Sequence, residues 1–225
     1  MTAQPRPSAL VQPLDEMPPL RHRIHAQLER LITSGSLAPG TRLVESDLAQ
    51  TLGVSRGPIR EALQLLQRDG LIDLRPRQGA FVHLPTLKEI EDFFDIRRAL
   101  ETESARLAAR RITAEGAKEL RSVVETGLRL LDEGKDPSGV GLHQAITRAA
   151  DNPVLAQMLG TLEIRTNWYR RPFDVSLRKR AWEEHKAIVD AIAESDTAMA
   201  MNEMAAHINN SRDYLIKTRA ESNTE

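Results

Sequence analysis

The sequence predicts a mainly α chain in two parts: an N-terminal winged helix-turn-helix with a small β-hairpin wing, then a C-terminal all-α helical bundle. Two stretches carry that prediction. Residues 37–83, LAPGTRLVESDLAQTLGVSRGPIREALQLLQRDGLIDLRPRQGAFVH, read as a helix, a tight turn, a second helix with two arginines in its first turn, and an arginine-tipped hairpin. Beyond Pro85 the apolar spacing is helical to the end of the chain. The expected organisation is a flexible, proline-rich arm over residues 1–19, a winged helix-turn-helix over 20–84, an all-helical domain over 85–219, and a disordered tail over 220–225.

Each element has a local reason. Leu20, Ile24, Leu28, Leu31 and Ile32 form one stripe of a first helix running to about Thr33, which Gly35 stops. A second helix covers about Glu45 to Leu52, burying Leu48 and Leu52, and Gly53 makes the turn. Ser55 is placed as the N-cap of a third helix lasting to about Asp69, with Pro58 in its first turn, where no intrahelical donor is lost. On that helix Ile59, Ala62, Leu63 and Leu66 face inward, while Arg56, Arg60 and Gln64 recur on another face. Gly70 ends it, and strands Leu71–Leu74 and Ala80–His83 flank the RPRQG tip. Further helices are expected at roughly 86–111, 113–133, 138–151, 153–171, 176–194 and 196–218, with a loop over Asp132–Gly141 and Asn152-Pro153 as an N-cap and first-turn proline.

Composition bounds the function. With 40% apolar and 28% charged residues the chain has the balance of a globular protein, and no apolar run approaches the roughly 18 residues of a membrane span. Absence of cysteine excludes disulfides, thiolate zinc sites and cysteine nucleophiles, and fits a cytoplasmic location. The net charge of −1 hides an asymmetry: residues 18–84 hold nine arginines against six acids, and residues 85–225 hold 21 basic against 24 acidic side chains. A modest local excess suffices when a few arginines are aimed at phosphates and base edges.

Arg56 and Arg60 lie one turn apart at the N-terminal end of the third helix, the part of a recognition helix that meets bases, and an arginine fork suits guanine O6 and N7. Gly57 leaves room for close approach and Ser55 can donate to a phosphate. Arg75 and Arg77 on the wing tip, with Gly79 allowing the turn, are placed to grip the flanking backbone or minor groove.

The run G-S-L-A-P-G-T-R-L-x-E-x-x-L-A-x-x-L-G-V-S-R-x-P-I-R-E-A-L-x-x-L-x-x-D-G-L-I closely resembles the GntR family of bacterial transcriptional regulators. The resemblance covers about fifty residues in register. It implies DNA contacts by Ser55, Arg56, Gly57, Arg60 and the wing from Arg77 to Gly79. Some members place an arginine on DNA where this chain has Ser46. The remaining residues resemble, more loosely, the all-helical effector domain of the FadR-like subgroup, often called FCD. The matching pieces are Ile96-Arg97 through Leu100-Glu101, Leu142-His143 leading to Asp151-Asn152-Pro153, Glu184-His185 and Ala206-His207-Ile208. This resemblance implies a bundle with a pocket for a small organic acid, often beside a divalent metal, and a homodimer on a double-stranded DNA operator.

The residues themselves are compatible with that pocket. Arg97 and Glu101 share a helical stripe with Ile90, Phe94, Ser104 and Ala108, so a charge pair points where core residues belong. His143, His185 and His207 each lie on an apolar face of a different helix, and imidazoles converging from separate helices suit a transition metal of the Zn or Ni type. Arg97, Glu101, Asn152 and Arg165 are the candidate effector-binding residues. Metal-binding relatives usually carry an aspartate four residues before the first histidine, where this chain has Gly139. Two arrangements follow: a weaker metal site whose open positions take water or the effector carboxylate, or a metal-free pocket in which the histidines and Arg97 hold an anion directly. The histidine set is also compatible with a metal-dependent hydrolase. A recognition helix would have no purpose in such an enzyme, so a non-enzymatic regulator, a repressor by family habit, is the expectation.

Overall fold

A computed structural model describes residues 18–170 and 175–222; the first 17 residues of the arm expected over 1–19, and the last three residues, lie outside it. The chain separates into two compact units, one ending at His83 and the other beginning at Leu84.

In the first unit α1 (Leu20–Thr33), α2 (Glu45–Leu52) and α3 (Arg56–Arg68) occupy the expected segments. The α1 stripe narrows: Ile24, Leu28 and Ile32 are buried, but Leu20 and Leu31 reach solvent. On α2 Ala49 is the buried residue, and Leu48 and Leu52 are only half covered. Ile59, Ala62, Leu63 and Leu66 of α3 are all buried as expected, so the polar positions of that helix are free to face outward. His25 of α1 reaches Asp69 at the end of α3 at 2.5 Å, joining the two helices by a polar contact beside their apolar one.

The wing has three strands rather than two. β2 (Ile72–Arg75) and β3 (Gly79–Val82) form the hairpin, and a two-residue strand β1 (Arg42–Leu43) pairs antiparallel with β3, giving the order β1-β3-β2. Arg42 stands opposite Phe81 and Arg75 opposite Gly79. Sequence periodicity misses β1 because two residues hold no alternation.

The second unit is helical throughout its described residues: α4 (Leu87–Arg111), α5 (Ala114–Asp132), α6 (Leu142–Ala149), α7 (Pro153–Arg170), α8 (Val175–Ala193) and α9 (Thr197–Ser222). Thr86 and Glu89 form a reciprocal capping box that starts α4. Two expectations change. The helix placed at 138–151 starts only at Leu142, because Pro137–Val140 winds as a 3-10 turn and Gly141 takes φ +71. The tail expected from residue 220 is partly helix, since α9 continues to Ser222. Arg111 at the end of α4 donates to the carbonyls of Ala150 (2.5 Å) and Asp151 (2.9 Å), closing the C-terminal end of α6.

α4 packs mainly on α9, and α8 bridges α5 and α9, so α4, α8 and α9 enclose the polar centre described below. The α5–α8 contact depends on one absent methyl group. A Cβ built on Gly127 of α5 would stand 2.1 Å from the buried Trp182 ring of α8. Trp182 in turn meets the His185 ring edge-on at a 4.8 Å centroid distance. Gly127→Ala is therefore expected to destabilise the protein by about 1–3 kcal/mol through overpacking, despite the better helix propensity of alanine. A urea unfolding midpoint at least as high as wild type would refute the close fit.

Candidate functional site

Two sites stand out, one on each unit. On the first, Ser55, Arg56, Gly57, Arg60 and Gln64 are all exposed on the face of α3 opposite its core stripe. Ser55 occupies the N-cap backbone position, but its side chain makes no capping hydrogen bond, contrary to the reading of Ser55 as a side-chain cap. Its hydroxyl therefore remains available to an external acceptor. A Cβ on Gly57 would meet nothing within 4 Å, so the missing side chain makes room for something outside the domain rather than for its packing.

Arg60 donates from Nε and Nη2 to the Glu45 carboxylate on α2, at 3.3 and 3.0 Å. That hydrogen bond from Arg60, supported by the Arg60 and Arg56 charges, lowers the Glu45 pKa below its ordinary value. Glu61, the acid next to Arg60 on α3, takes Arg21 of α1 at 3.3 Å. Ser46 donates to Asp47 at 3.0 Å.

On the wing, Arg75, Arg77 and Gly79 are exposed at the hairpin tip, and Arg77 holds φ +63 in the left-handed region that favours glycine. Gly79, at φ +102, follows where a side chain would be strained. The Arg75 guanidinium lies 4.5 Å over the Phe81 ring and 3.7 Å from Asp73, and Arg42 lies 6.0 Å over the same ring. Arg42 and Glu45 escaped the sequence reading, because both owe their position to pairing across elements rather than to helical spacing.

The second site lies inside the helical unit. His143 of α6, His185 of α8 and His207 of α9 converge: His185 Nε2 is 3.2 Å from Nε2 of His143 and 3.2 Å from Nε2 of His207. The opposite nitrogens of two rings are held by carboxylates. Glu101 of α4 binds His143 Nδ1, and Glu184 of α8 lies 2.9 Å from His207 Nδ1 while accepting a 2.7 Å bond from Asn210. Glu101 also accepts from Arg97 Nε at 2.5 Å.

Arg97 and Glu101 are both buried as the stripe predicts, at 1% and 6% exposure. Burial alone would raise the Glu101 pKa, but the charges of Arg97 and His143 and the hydrogen bonds from both hold the carboxyl well below the usual carboxylate range. Burial likewise opposes ionisation of Glu184, and its hydrogen bond with His207 leads the effects that lower its pKa nonetheless. Burial pushes His207 down to about 4, against the opposing hydrogen bond to Glu184.

Two ionised carboxylates can only accept, so Nδ1 of His143 and of His207 donates to them, and in the neutral tautomer that binds a metal each Nε2 presents a lone pair. His185 Nε2 stands 3.2 Å from each of the other two, close to the spacing of about 3.3 Å that nitrogens take around a tetrahedral Zn at 2.0–2.1 Å, and all three ligand nitrogens lie within 4.8 Å of one another. The donor set thus fits a divalent transition metal: His143, His185 and His207 could hold one. Glu101 and Glu184, behind the imidazoles, supply negative charge that Gly139 does not.

A cavity of about 220 Å³ opens beside this cluster, lined by Arg97, Glu101, His143, Thr147, Thr166 and Asn167 among others. His143 is the one histidine of the three on its wall; His185 and His207 lie behind it, buried. Arg97 donates to Glu101 through Nε, which leaves its two Nη groups for an occupant. Two candidate effector residues are not on this wall. Asn152 accepts the backbone N–H of Leu155 at 3.2 Å as the cap of α7, and Arg165 is half-buried near Tyr169.

Comparison with known proteins identifies the class. Residues 20–82 match the bacterial regulatory proteins of the gntR family, and residues 92–210 match the FCD domain. The HTH-type transcriptional repressor RspR of Escherichia coli K12 is 28% identical over 216 residues, covering 93% of this chain and 94% of the relative. A probable D-xylose utilization operon transcriptional repressor of Paenarthrobacter nicotinovorans is 31% identical over 184 residues, covering 79% of this chain and 80% of the relative. The solved structure of E. coli McbR/YncC superposes with a TM-score of 0.72 at 22% identity, covering 90% of this chain and all of that one, which supports the fold. This chain belongs to the GntR family of transcriptional regulators and carries an FCD domain. Among the described residues, no helix is long and apolar enough to cross a membrane.

The ionisations at the cluster predict how stability depends on pH. Below its unfolded value of 6.5, His207 takes up a proton in the unfolded chain that the folded chain accepts only near pH 4. Stability is fully present above pH 6.5 and falls as pH drops from 6.5 toward 4, by at most about 1.4 kcal/mol per unit. The depressed Glu101 carboxyl extends the same trend below about pH 4.5. Urea midpoints of chelator-treated protein should show this slope, and His207→Gln should flatten it between pH 6.5 and 4.

Proposed function

We propose that this chain is a cytoplasmic transcriptional repressor that binds a short inverted-repeat operator as a homodimer and releases it when a small organic acid enters the helical unit. The observation that carries the effector half is Arg97, a guanidinium at 1% exposure on the wall of a small cavity. A buried cation with donors left over fits an anionic ligand, and about 220 Å³ suits a compact metabolite rather than a long acyl chain.

His143, His185 and His207 hold a divalent metal of the Zn or Ni type behind that anion. Bound there, the metal would supply Lewis-acid affinity for a carboxylate oxygen. Gly139 lies in the 3-10 turn before α6 and brings no carboxylate, so open positions remain for water or effector oxygens. Glu101 and Glu184 orient His143 and His207, and Arg97 attracts and aligns the anion. An effector that prefers one arrangement of the dimer thereby shifts operator affinity by the difference in its own affinities. A metal-dependent hydrolase is disfavoured, because Glu101 and Glu184 are engaged on imidazole Nδ1 and the family is one of regulators.

On the DNA side, Ser55, Arg56 and Arg60 meet the major groove, and Arg75, Arg77 and the wing grip the flanking backbone. Ser46 and Gly57 line the approach.

Elemental mass spectrometry of the purified, untagged protein should find near-stoichiometric Zn or Ni that disappears in His143→Ala. Protein that stays metal-free after reconstitution would replace the metal with an anion held by Arg97 and the histidines themselves. For DNA, the tightest duplex selected from a randomised pool serves as probe. Arg60→Ala should cost about 1–3 kcal/mol and blur one base position. Arg77→Gly, which relaxes the positive φ, should preserve stability and weaken binding evenly across sequences. DNA affinity unchanged in both variants would remove α3 and the wing from the interface.

A further inference from the structure

We infer that Glu45 is a positioning residue for DNA reading: its carboxylate braces Arg60 so that one defined edge of the guanidinium faces a base. The inference rests on the reading of α3 as the recognition helix. Glu45 opens α2 and Arg60 lies in the second turn of α3, fifteen residues away, so no helical spacing accounts for their contact.

The geometry is a fork on a fork. Oε1 accepts from Nε at 3.3 Å and Oε2 from Nη2 at 3.0 Å, which takes up one side of the planar guanidinium. The end formed by Nη1 and the second hydrogen of Nη2 stays open, and those two parallel N–H groups match guanine O6 and N7. Arg60 keeps 64% exposure and Glu45 33%, so the pair contributes little to stability and leaves the outward edge accessible.

Two consequences for recognition follow. A long, exposed arginine ordinarily gives up rotamer freedom when it docks, and a braced one has given up much of it beforehand. Glu45 also cancels the charge of Arg60 toward a phosphate, because a carboxylate beside the DNA repels the backbone. Arg60 thereby becomes a weak general grip and a selective base reader, while Arg56, which has no such fork among the described residues, keeps its attraction for DNA of any sequence. The alternative partner on the same helix, Glu61, is drawn away by Arg21, so the brace comes from α2 alone among the described residues.

The test uses the full chain, a duplex selected by the wild-type protein from a randomised 20-base-pair pool, and a random-sequence duplex of the same length. Glu45→Gln is expected to bind the random duplex as tightly as wild type or tighter. Its preference for the selected duplex should fall roughly tenfold, the lower range of what one arginine fork contributes. Reselection with Glu45→Gln should lose information at the base position that Arg60→Ala also loses, and the double variant should lose no more than Arg60→Ala alone.

Equal weakening on both duplexes, with a lowered melting temperature, would mean a structural role and overturn the proposal. So would an unchanged preference in Glu45→Gln beside a lost base position in Arg60→Ala; the recognition-helix reading would then survive without the brace. No loss of any base position in Arg60→Ala would overturn both.

Discussion

The helical unit is organised around a single buried carboxylate. Glu101 takes Arg97 on one oxygen and His143 on the other, and only this double engagement makes a charge at 6% exposure tolerable. Arg97 is equally dependent, since a guanidinium at 1% exposure needs a counter-charge close by. The pair sets the proton on His143 Nδ1 and thus turns its Nε2 toward the other two histidines. One side chain therefore connects the cavity wall to the imidazole cluster. The carboxylate of Glu184, with Asn210 behind it, does the same for His207 from the far side.

In the DNA-binding unit the controlling feature is how α3 divides its surface. Four apolar residues anchor it so fully that the remaining positions are free of packing duties. The arginines are nonetheless not loose. Arg60 is held by Glu45, Arg75 rests on Phe81 beside Asp73, and Arg77 is presented by a backbone conformation that an arginine adopts at some cost. A polar surface held in a few orientations loses less entropy on contact with a ligand, which favours selectivity over simple charge attraction.

Much of this was legible in the sequence where the cause is local. Apolar spacing, Gly53 and Pro58 delimit α1, α2 and α3 because helix start, stop and burial depend on residues three or four apart. The same spacing placed Arg97 and Glu101 inside before any contact was known. Local signals failed where two causes competed: Pro137 and two glycines allow either a loop or a helix over 137–141, and a 3-10 turn resulted. They also failed at β1, which exists only because β3 lies beside it.

The chain's own order of residues was enough to set the helices, the core stripe of α3, the exposed arginines and the presence of three inward histidines, since each follows from short-range periodicity and from the aversion of apolar groups to water. Which charges meet is a different matter. Glu101 reaches His143 across 42 positions, Glu184 reaches His207 across 23 and Glu45 reaches Arg60 across 15, each from a separate helix. Such meetings depend on how the helices pack against one another, because an electrostatic contact is made in space and carries no period along the chain.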